Sequence, residues 1–227
     1  MTDYTYDQSN ETPVWLSQSY LVGHPLELHG HYAEALNVYN DIIVRDPHNI
    51  LAYLLQGGAL SSLKRGEEGR TSFLHALHLA DQALNEHPND VRAHVYRADA
   101  LWEIGQKEEA LAAYDRALQL APEDYEVHLN KGWAQYVLAH YDEALTLLQR
   151  ALELHPDDVD ILYYLNNVYW DIGEYTKSLE ALERAIALDP SQRRLYIDKA
   201  TTLSYMGRIA ESKEAQARYE QMLQGDS

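Results

Sequence analysis

Apolar residues recur with the period of an amphipathic helix through the stretch from Tyr125 to Pro156. Two segments of this stretch each carry one apolar stripe at three- and four-residue spacing, which predicts two helices that each pack by one face. The stripes consist of Leu129, Gly132, Trp133 and Tyr136, and then of Ala144, Leu145, Leu148, Ala151 and Leu152. A short turn separates the segments, Pro156 ends the pair, and Asp158 is placed to cap the next helix. The pattern therefore predicts a helical hairpin.

The same pattern returns along the chain at a nearly fixed spacing that prolines mark. Successive gaps between these prolines are 41, 34, 34 and 34 residues. The prolines are Pro47, Pro88, Pro122, Pro156 and Pro190. A constant period of this length is typical of a solenoid, in which each repeat buries its apolar face only against its neighbours.

Small residues fall into columns when the repeats are aligned on the prolines. The column late in the first helix, which would let two helices approach closely, contains Gly23, Gly57, Ala98, Gly132, Asn166 and Ala200. An early column of the second helix contains Ala35, Ala76, Ala110, Ala144, Ser178 and Ser212. Glycines suited to the left-handed conformation that ends a helix stand between the helices at Gly30, Gly105, Gly173 and Gly207.

These columns resemble the tetratricopeptide repeat, whose pattern runs W-x2-L-G-x2-Y, then A-x3-F, then P. One unit matches it with Leu162, Leu165, Asn166, Tyr169, Ser178, Leu182, Ala185 and Pro190. The resemblance covers about residues 16–224 and implies an all-α fold of six helix pairs stacked as a right-handed superhelix. The expected units are 16–49, 50–90, 91–124, 125–158, 159–192 and 193–224, preceded by a disordered acidic tail at 1–15.

Three irregularities modify this expectation. Pro25 should kink the first helix of the first unit. Seven extra residues in the second unit should lengthen the turn at Gly66–Gly69 and start the following helix about one turn early. In the last helix, polar residues replace the apolar residues of earlier units, which predicts a terminal cap. These polar residues are Lys213, Gln216 and Glu220.

Composition narrows the possible partners. The 36 acidic and 18 basic residues give a formal net charge of −18, which disfavours nucleic acid and anionic membranes and favours a basic or amphipathic protein segment. No cysteine is present, so disulfides and zinc–thiolate sites are excluded. The sequence shows no secretory signal and no apolar run of membrane-spanning length, so we expect a cytoplasmic protein.

The resemblance implies that the first helices line a concave groove that holds a partner segment. The residues expected in this groove are Arg92, Asp99, Trp102, Glu103, Trp133, Tyr136, Tyr163, Asn167 and Trp170. Aromatic anchors with a polar rim suit peptide binding. The alternative is that these aromatic residues belong to the core, as aromatics at helical spacing usually do. A clamp for a terminal carboxylate is not expected, because Leu54, Val95 and Leu129 occupy its lysine positions.

Other functions have weaker support in the sequence. No phosphate loop, dinucleotide motif or nucleophile motif is present, so we expect neither catalysis nor a cofactor. His75, His78 and Asp81 share a helical face and form a weak candidate metal site. Two alternatives to the peptide-binding scaffold stay open, namely a self-associating structural protein and a sensor of a small ligand or metal.

Overall fold

A computed structural model describes residues 31–225 of the chain. The predicted tail at 1–15, the Pro25 kink, Gly23 and Gly30 lie outside the described residues. Residues 31–225 form eleven α-helices and no β-strand. The helices are α1 (Tyr32–Arg45), α2 (Ile50–Ser62), α3 (Gly66–Glu86), α4 (Val91–Glu103), α5 (Lys107–Leu120), α6 (Tyr125–Val137), α7 (Tyr141–Leu154), α8 (Val159–Asp171), α9 (Tyr175–Leu188), α10 (Arg193–Tyr205) and α11 (Ile209–Gly225).

The all-α repeat fold expected from the sequence is confirmed. The chain divides into two compact units between Leu120 and Ala121. In the first unit, α2 pairs with α3 and α4 pairs with α5, while α1 packs on α2 and α3 packs on α4. In the second unit, α6–α7, α8–α9 and α10–α11 are the pairs, and each pair packs on the next. No helix among the described residues is long and apolar enough to cross a membrane.

Short acidic or amide side chains define where most first helices begin. Asn49 and Asp90 accept hydrogen bonds from the N–H groups of Ala52 and Ala93 at 2.9 and 3.0 Å. Asp124 and Asp158 cap α6 and α8 in the same way. These caps satisfy backbone N–H groups that have no partner inside the helix. At the start of α10 Gln192 occupies the capping position without a side-chain cap hydrogen bond.

Close packing within the pairs follows from the column of small residues. A Cβ atom added at Gly57 would lie 2.5 Å from the Phe73 ring, and one added at Gly132 would lie 2.9 Å from Leu148 Cγ. Ala98 is fully buried at the corresponding position. Asn166 takes this place in the α8–α9 pair and accepts a hydrogen bond from Ser178 Oγ at 2.7 Å.

The seven extra residues of the second unit are helical, so the expected longer turn at Gly66–Gly69 is wrong. Helix α3 has 21 residues whereas α5, α7 and α9 have 14, and it begins at Gly66. Gly69 lies where α2 and α3 approach each other closely, because a Cβ there would lie 2.8 Å from the Gly57 carbonyl oxygen. Seven residues are about two turns, so Gly69, Phe73, Ala76 and Ala80 remain on one buried face.

Candidate functional site

In the second unit, the aromatic residues near the ends of the first helices α6 and α8 each contact two neighbours at equivalent repeat positions. Tyr136 of α6 lies 6.3 Å, between ring centroids, from Tyr141 at the start of α7. Its hydroxyl also hydrogen-bonds the Asp171 carboxylate of α8. Burial, followed by this hydrogen bond, raises the pKa of Tyr136 to about 12. Tyr136 is therefore a neutral hydrogen-bond donor at physiological pH.

Trp170 occupies the position of Tyr136 in the next helix pair and forms a three-ring cluster. Its ring centroid lies 5.1 Å from Tyr175 at the start of α9 and 4.7 Å from Tyr205 at the end of α10, both edge to face. Tyr175 and Tyr205 lie 5.7 Å apart. Edge-to-face contacts of this kind stabilise aromatic groups beyond the area that they bury. Tyr205 nevertheless remains 67% exposed, so the cluster is open to solvent.

A cation lies over another aromatic residue of the same first helices. The Arg194 guanidinium of α10 lies 4.1 Å from the centroid of the Tyr163 ring of α8. The same guanidinium contacts Asp160 at 2.8 Å, and the Arg194 Nε group donates to Gln192 Oε1 at 3.1 Å. Asp160 and Arg194 are 34 residues apart and thus hold the same place in successive repeats. Helices α8 and α10 therefore lie side by side.

Asn167, on the first helix α8, is hydrogen-bonded to a buried polar network. Asn166 Nδ2 donates to Asn167 Oδ1 at 3.1 Å, and Asn166 Oδ1 accepts from Ser178, which lies 3.5 Å from Thr202 Oγ1. Asn166, Ser178 and Thr202 are buried, whereas Asn167 is partly exposed. The buried amide therefore fixes the orientation of Asn167.

The first unit holds its predicted residues in a different environment. Tyr114 OH donates a hydrogen bond to the Asp99 carboxylate. Burial raises the pKa of Asp99 to about 7; Glu103 adds to the rise, while the Tyr114 hydrogen bond and Arg92 oppose it. Burial also raises the pKa of Glu103. A substantial fraction of Asp99 is thus protonated at neutral pH.

Trp102 is 8% exposed, and the Lys107 ammonium lies 5.1 Å from its ring centroid. The core alternative therefore describes Trp102 better than the groove hypothesis does. Trp133, Tyr136, Tyr163 and Trp170 are all partly exposed.

The nine predicted residues fall into two groups, one in each unit. Arg92, Asp99, Trp102 and Glu103 belong to α4, and the other five belong to α6 and α8. Tyr175 was not among the predicted residues, although a spacing of five residues relates it to Trp170 just as it relates Tyr141 to Tyr136. That spacing spans the three-residue turn and could have identified the contact.

The weak metal candidate does not form a site. His75 packs its ring 4.2 Å from that of Tyr53, and Asp81 pairs with Arg97 at 2.7 Å. Within residues 31–225 no group of three or more His, Asp or Glu side chains is arranged to hold a metal ion.

Comparisons with known proteins identify the repeat. A family model described as tetratricopeptide repeat matches residues 72–125 and 129–193. No curated protein matches the chain. Similar solved structures include MamA, which is 22% identical, with a TM-score of 0.65 over 71% of this chain and 95% of its own. A thermophilic tetratricopeptide repeat protein of Thermus thermophilus is 20% identical and has a TM-score of 0.64. The match covers 82% of this chain and 98% of the Thermus chain. YrrB, described as having an unusual peptide-binding site, is 18% identical and has a TM-score of 0.58. The match covers 81% of this chain and 91% of the YrrB chain.

Proposed function

This chain belongs to the tetratricopeptide repeat family, and from that membership we propose that it is a non-catalytic scaffold that binds a protein or peptide segment. The binding surface is the face that the first helices α6, α8 and α10 present, here called the first-helix face. It is defined by Trp133, Tyr136, Tyr163, Asn167, Trp170, Arg194 and Tyr205.

The observation that carries this proposal is the partial exposure of aromatic residues on successive first helices. Trp133 and Tyr163 are only partly buried, although Tyr163 also packs on a core cluster, and Tyr205 is two-thirds exposed. Aromatic side chains provide a large contact area at a small entropic cost, which makes them the common anchors of protein interfaces. The polar neighbours Asn167 and Asp171 supply hydrogen-bonding groups beside these rings.

The charge of the chain favours a basic or amphipathic partner. Residues 121–227 contain 19 acidic and 10 basic residues, a balance of −9. Complementary charge accelerates encounter and disfavours acidic partners. The partner would bind in the cytoplasm and would supply any catalytic activity of the complex.

Affinity capture tests the proposal. The wild-type chain and the double variant Trp133→Ala/Trp170→Ala would be used as bait in a native lysate, with circular dichroism to confirm that both are folded. The matched control is Leu188→Ala/Leu223→Ala, which removes exposed apolar side chains from the second helices α9 and α11. We expect a partner that wild type and control retain and the tryptophan variant loses. Equal recovery by all three would reject the first-helix face as the binding surface.

Self-association is a second candidate, because the last helix pair carries three large apolar or aromatic residues that are exposed. Tyr205, Ile209 and Leu223 are 67%, 50% and 42% exposed. If they form a contact between two copies, light scattering will show a mass that increases with concentration, and Ile209→Ser/Leu223→Ser will abolish the increase. A constant monomer mass would reject this candidate.

A further inference from the structure

The three-ring cluster of Trp170, Tyr175 and Tyr205 differs from three other aromatic residues of the described chain, each of which has a cation over its ring. Lys107 lies over Trp102, Lys177 lies 5.7 Å from the Tyr169 centroid, and Arg194 lies over Tyr163. No Lys or Arg of residues 31–225 lies over a ring of the cluster.

The repeat geometry explains this difference. In the last repeat of the first unit, Lys107 stands five residues after Trp102 and covers its ring. The residue five after Trp170 is Tyr175, which adds a ring instead of a charge. Tyr205 then adds a third ring whose outer part faces solvent. The faces of aromatic rings are negative, so a group of rings attracts cations.

Two carboxylates flank the cluster in sequence, and each of them has one further contact. Asp171 directly follows Trp170 and Glu174 directly precedes Tyr175, and both are exposed. Asp171 accepts the hydrogen bond of Tyr136, and Glu174 lies 3.4 Å from the Lys177 ammonium. Arg208, in the turn after Tyr205, is held by Glu211 through two hydrogen bonds of 2.6 and 2.7 Å. It is therefore not free to cover the cluster. A planar guanidinium matches this surface better than an ammonium because it stacks on rings and reaches carboxylates at once, as Arg194 does with Tyr163 and Asp160.

We propose that the cluster of Trp170, Tyr175 and Tyr205 is a recognition site for an arginine side chain of the partner segment. The site takes the guanidinium against the exposed ring of Tyr205, with the adjoining carboxylates adding attraction. This inference rests on the proposed scaffold function and names the chemistry of its partner. It also extends the surface beyond the first helices, because Tyr175 belongs to α9.

Fluorescence anisotropy with a defined probe tests the site on the full-length chain. The probe is a labelled peptide of alternating arginine and glycine. Its counterpart carries citrulline, which keeps the shape of arginine but has no charge. Tyr205→Leu removes the ring and keeps an apolar side chain, Tyr205→Phe keeps the ring, and Leu188→Ala is the control for lost exposed apolar area.

We expect the arginine peptide to bind wild type, Tyr205→Phe and Leu188→Ala alike and to bind Tyr205→Leu about three- to tenfold more weakly. The citrulline peptide should bind weakly to all four. In nitrogen-15 spectra the Trp170 indole signal, assigned with Trp170→Phe, should shift on addition of the arginine peptide while the signal of buried Trp102 stays in place.

Three results would overturn the arginine site. In the first, the arginine peptide fails to bind wild type. In the second, it binds Tyr205→Leu as well as it binds wild type. In the third, Tyr205→Leu weakens both peptides equally, which would indicate a merely apolar contact.

The scaffold proposal fails separately. If a captured partner depends on Trp133 but not on Tyr205, the scaffold stands and the arginine site falls. If the arginine peptide requires Tyr205 while capture is unchanged in Trp133→Ala/Trp170→Ala, the cluster still binds arginine, but the first-helix face is not the surface that holds the captured partner.

Discussion

Asp99 is a carboxyl group whose surroundings bring its titration to neutral pH. It lies on α4, accepts a hydrogen bond from the buried hydroxyl of Tyr114, and has a pKa of about 7, raised chiefly by burial. A raised pKa means that the folded chain holds a proton which the unfolded chain releases above about pH 4. Folding therefore loses stability as the pH rises from about 4 through 7.

Asp99→Asn should remove this loss, because the amide can still accept the hydrogen bond from Tyr114 but does not ionise. We expect the variant to be more stable than wild type at pH 8, by roughly 1 kcal/mol for each pKa unit of the wild-type shift. The difference should shrink as the pH falls toward 4. Urea unfolding followed by circular dichroism at a series of pH values measures it. A constant difference at every pH would show that Asp99 does not titrate as described.

The middle residue of each three-residue turn adopts a left-handed conformation, which glycine accepts more easily than other residues. Gly105, Gly173 and Gly207 have φ of 89°, 80° and 74°, whereas Lys64 and Ala139 have φ of 62° and 59°. A Cβ at Gly173 would meet no atom within 4 Å, so only the backbone conformation opposes a side chain there.

Ala139→Gly and Gly173→Ala should therefore change stability in opposite directions. The first should stabilise the fold by about 0.5 kcal/mol, since relief of the left-handed conformation outweighs the greater freedom of glycine in the unfolded chain. The second should destabilise it by about 1 kcal/mol. Thermal unfolding of both variants beside wild type measures the two changes. Unfolding temperatures that shift in the same direction would refute this account of the turns.

At the scale of the element, α3 shows where tertiary packing overrides sequence signals. Gly66 and Gly69 predict a turn, since glycine is a poor helix former. Gly69 instead lies where α2 and α3 come closest, and a larger residue there would collide with the Gly57 carbonyl. Alignment of the sequence on Pro88 instead places Ala76 at this contact between the two helices. The prolines mark where helices end and carry no information on how far a lengthened helix extends backward.

Gly69→Ala should destabilise the first unit by about 1–3 kcal/mol, because the added Cβ forces α2 and α3 apart. Gly58→Ala is the matched control on α2. Its Cβ would meet nothing within 4 Å, so the higher helix propensity of alanine should stabilise the chain by about 0.5–1 kcal/mol. Chemical unfolding measures both. A stabilising Gly69→Ala would mean that the two helices do not approach as closely as described.

The start of α10 lacks the cap that most earlier first helices have. Gln192 stands 34 residues after the capping residue Asp158 but makes no cap hydrogen bond. Gln192→Asp should therefore stabilise the chain by about 0.5–1 kcal/mol. Asp158→Ala should lower the free energy of unfolding by about 1 kcal/mol. Chemical unfolding of both variants beside wild type measures the two changes, and a change of the opposite sign in either variant would contradict this account of the caps.

For the whole molecule, the sequence predicts the repeat fold better than it predicts the exposure of the site. Proline spacing and small-residue columns define helix pairs because close helix packing requires them. Trp102 and Trp170 occupy the same column, yet Trp102 is buried beneath Lys107 whereas Trp170 belongs to an open cluster. A residue's own position in the period does not determine its exposure, which depends on residues five positions later and one repeat away.

Site-specific photocrosslinking tests the central claim, namely that the first-helix face binds a partner segment. Thr201 of α10 is exposed at the repeat position that Asn167 holds in α8, and Glu180 is exposed on the second helix α9. A photoreactive phenylalanine analogue would replace each residue in turn in the native host, and mass spectrometry would identify the crosslinked chains. The account predicts a partner protein crosslinked at position 201 and absent at position 180. Crosslinks at position 180 alone, or only to a second copy of the chain, would contradict it.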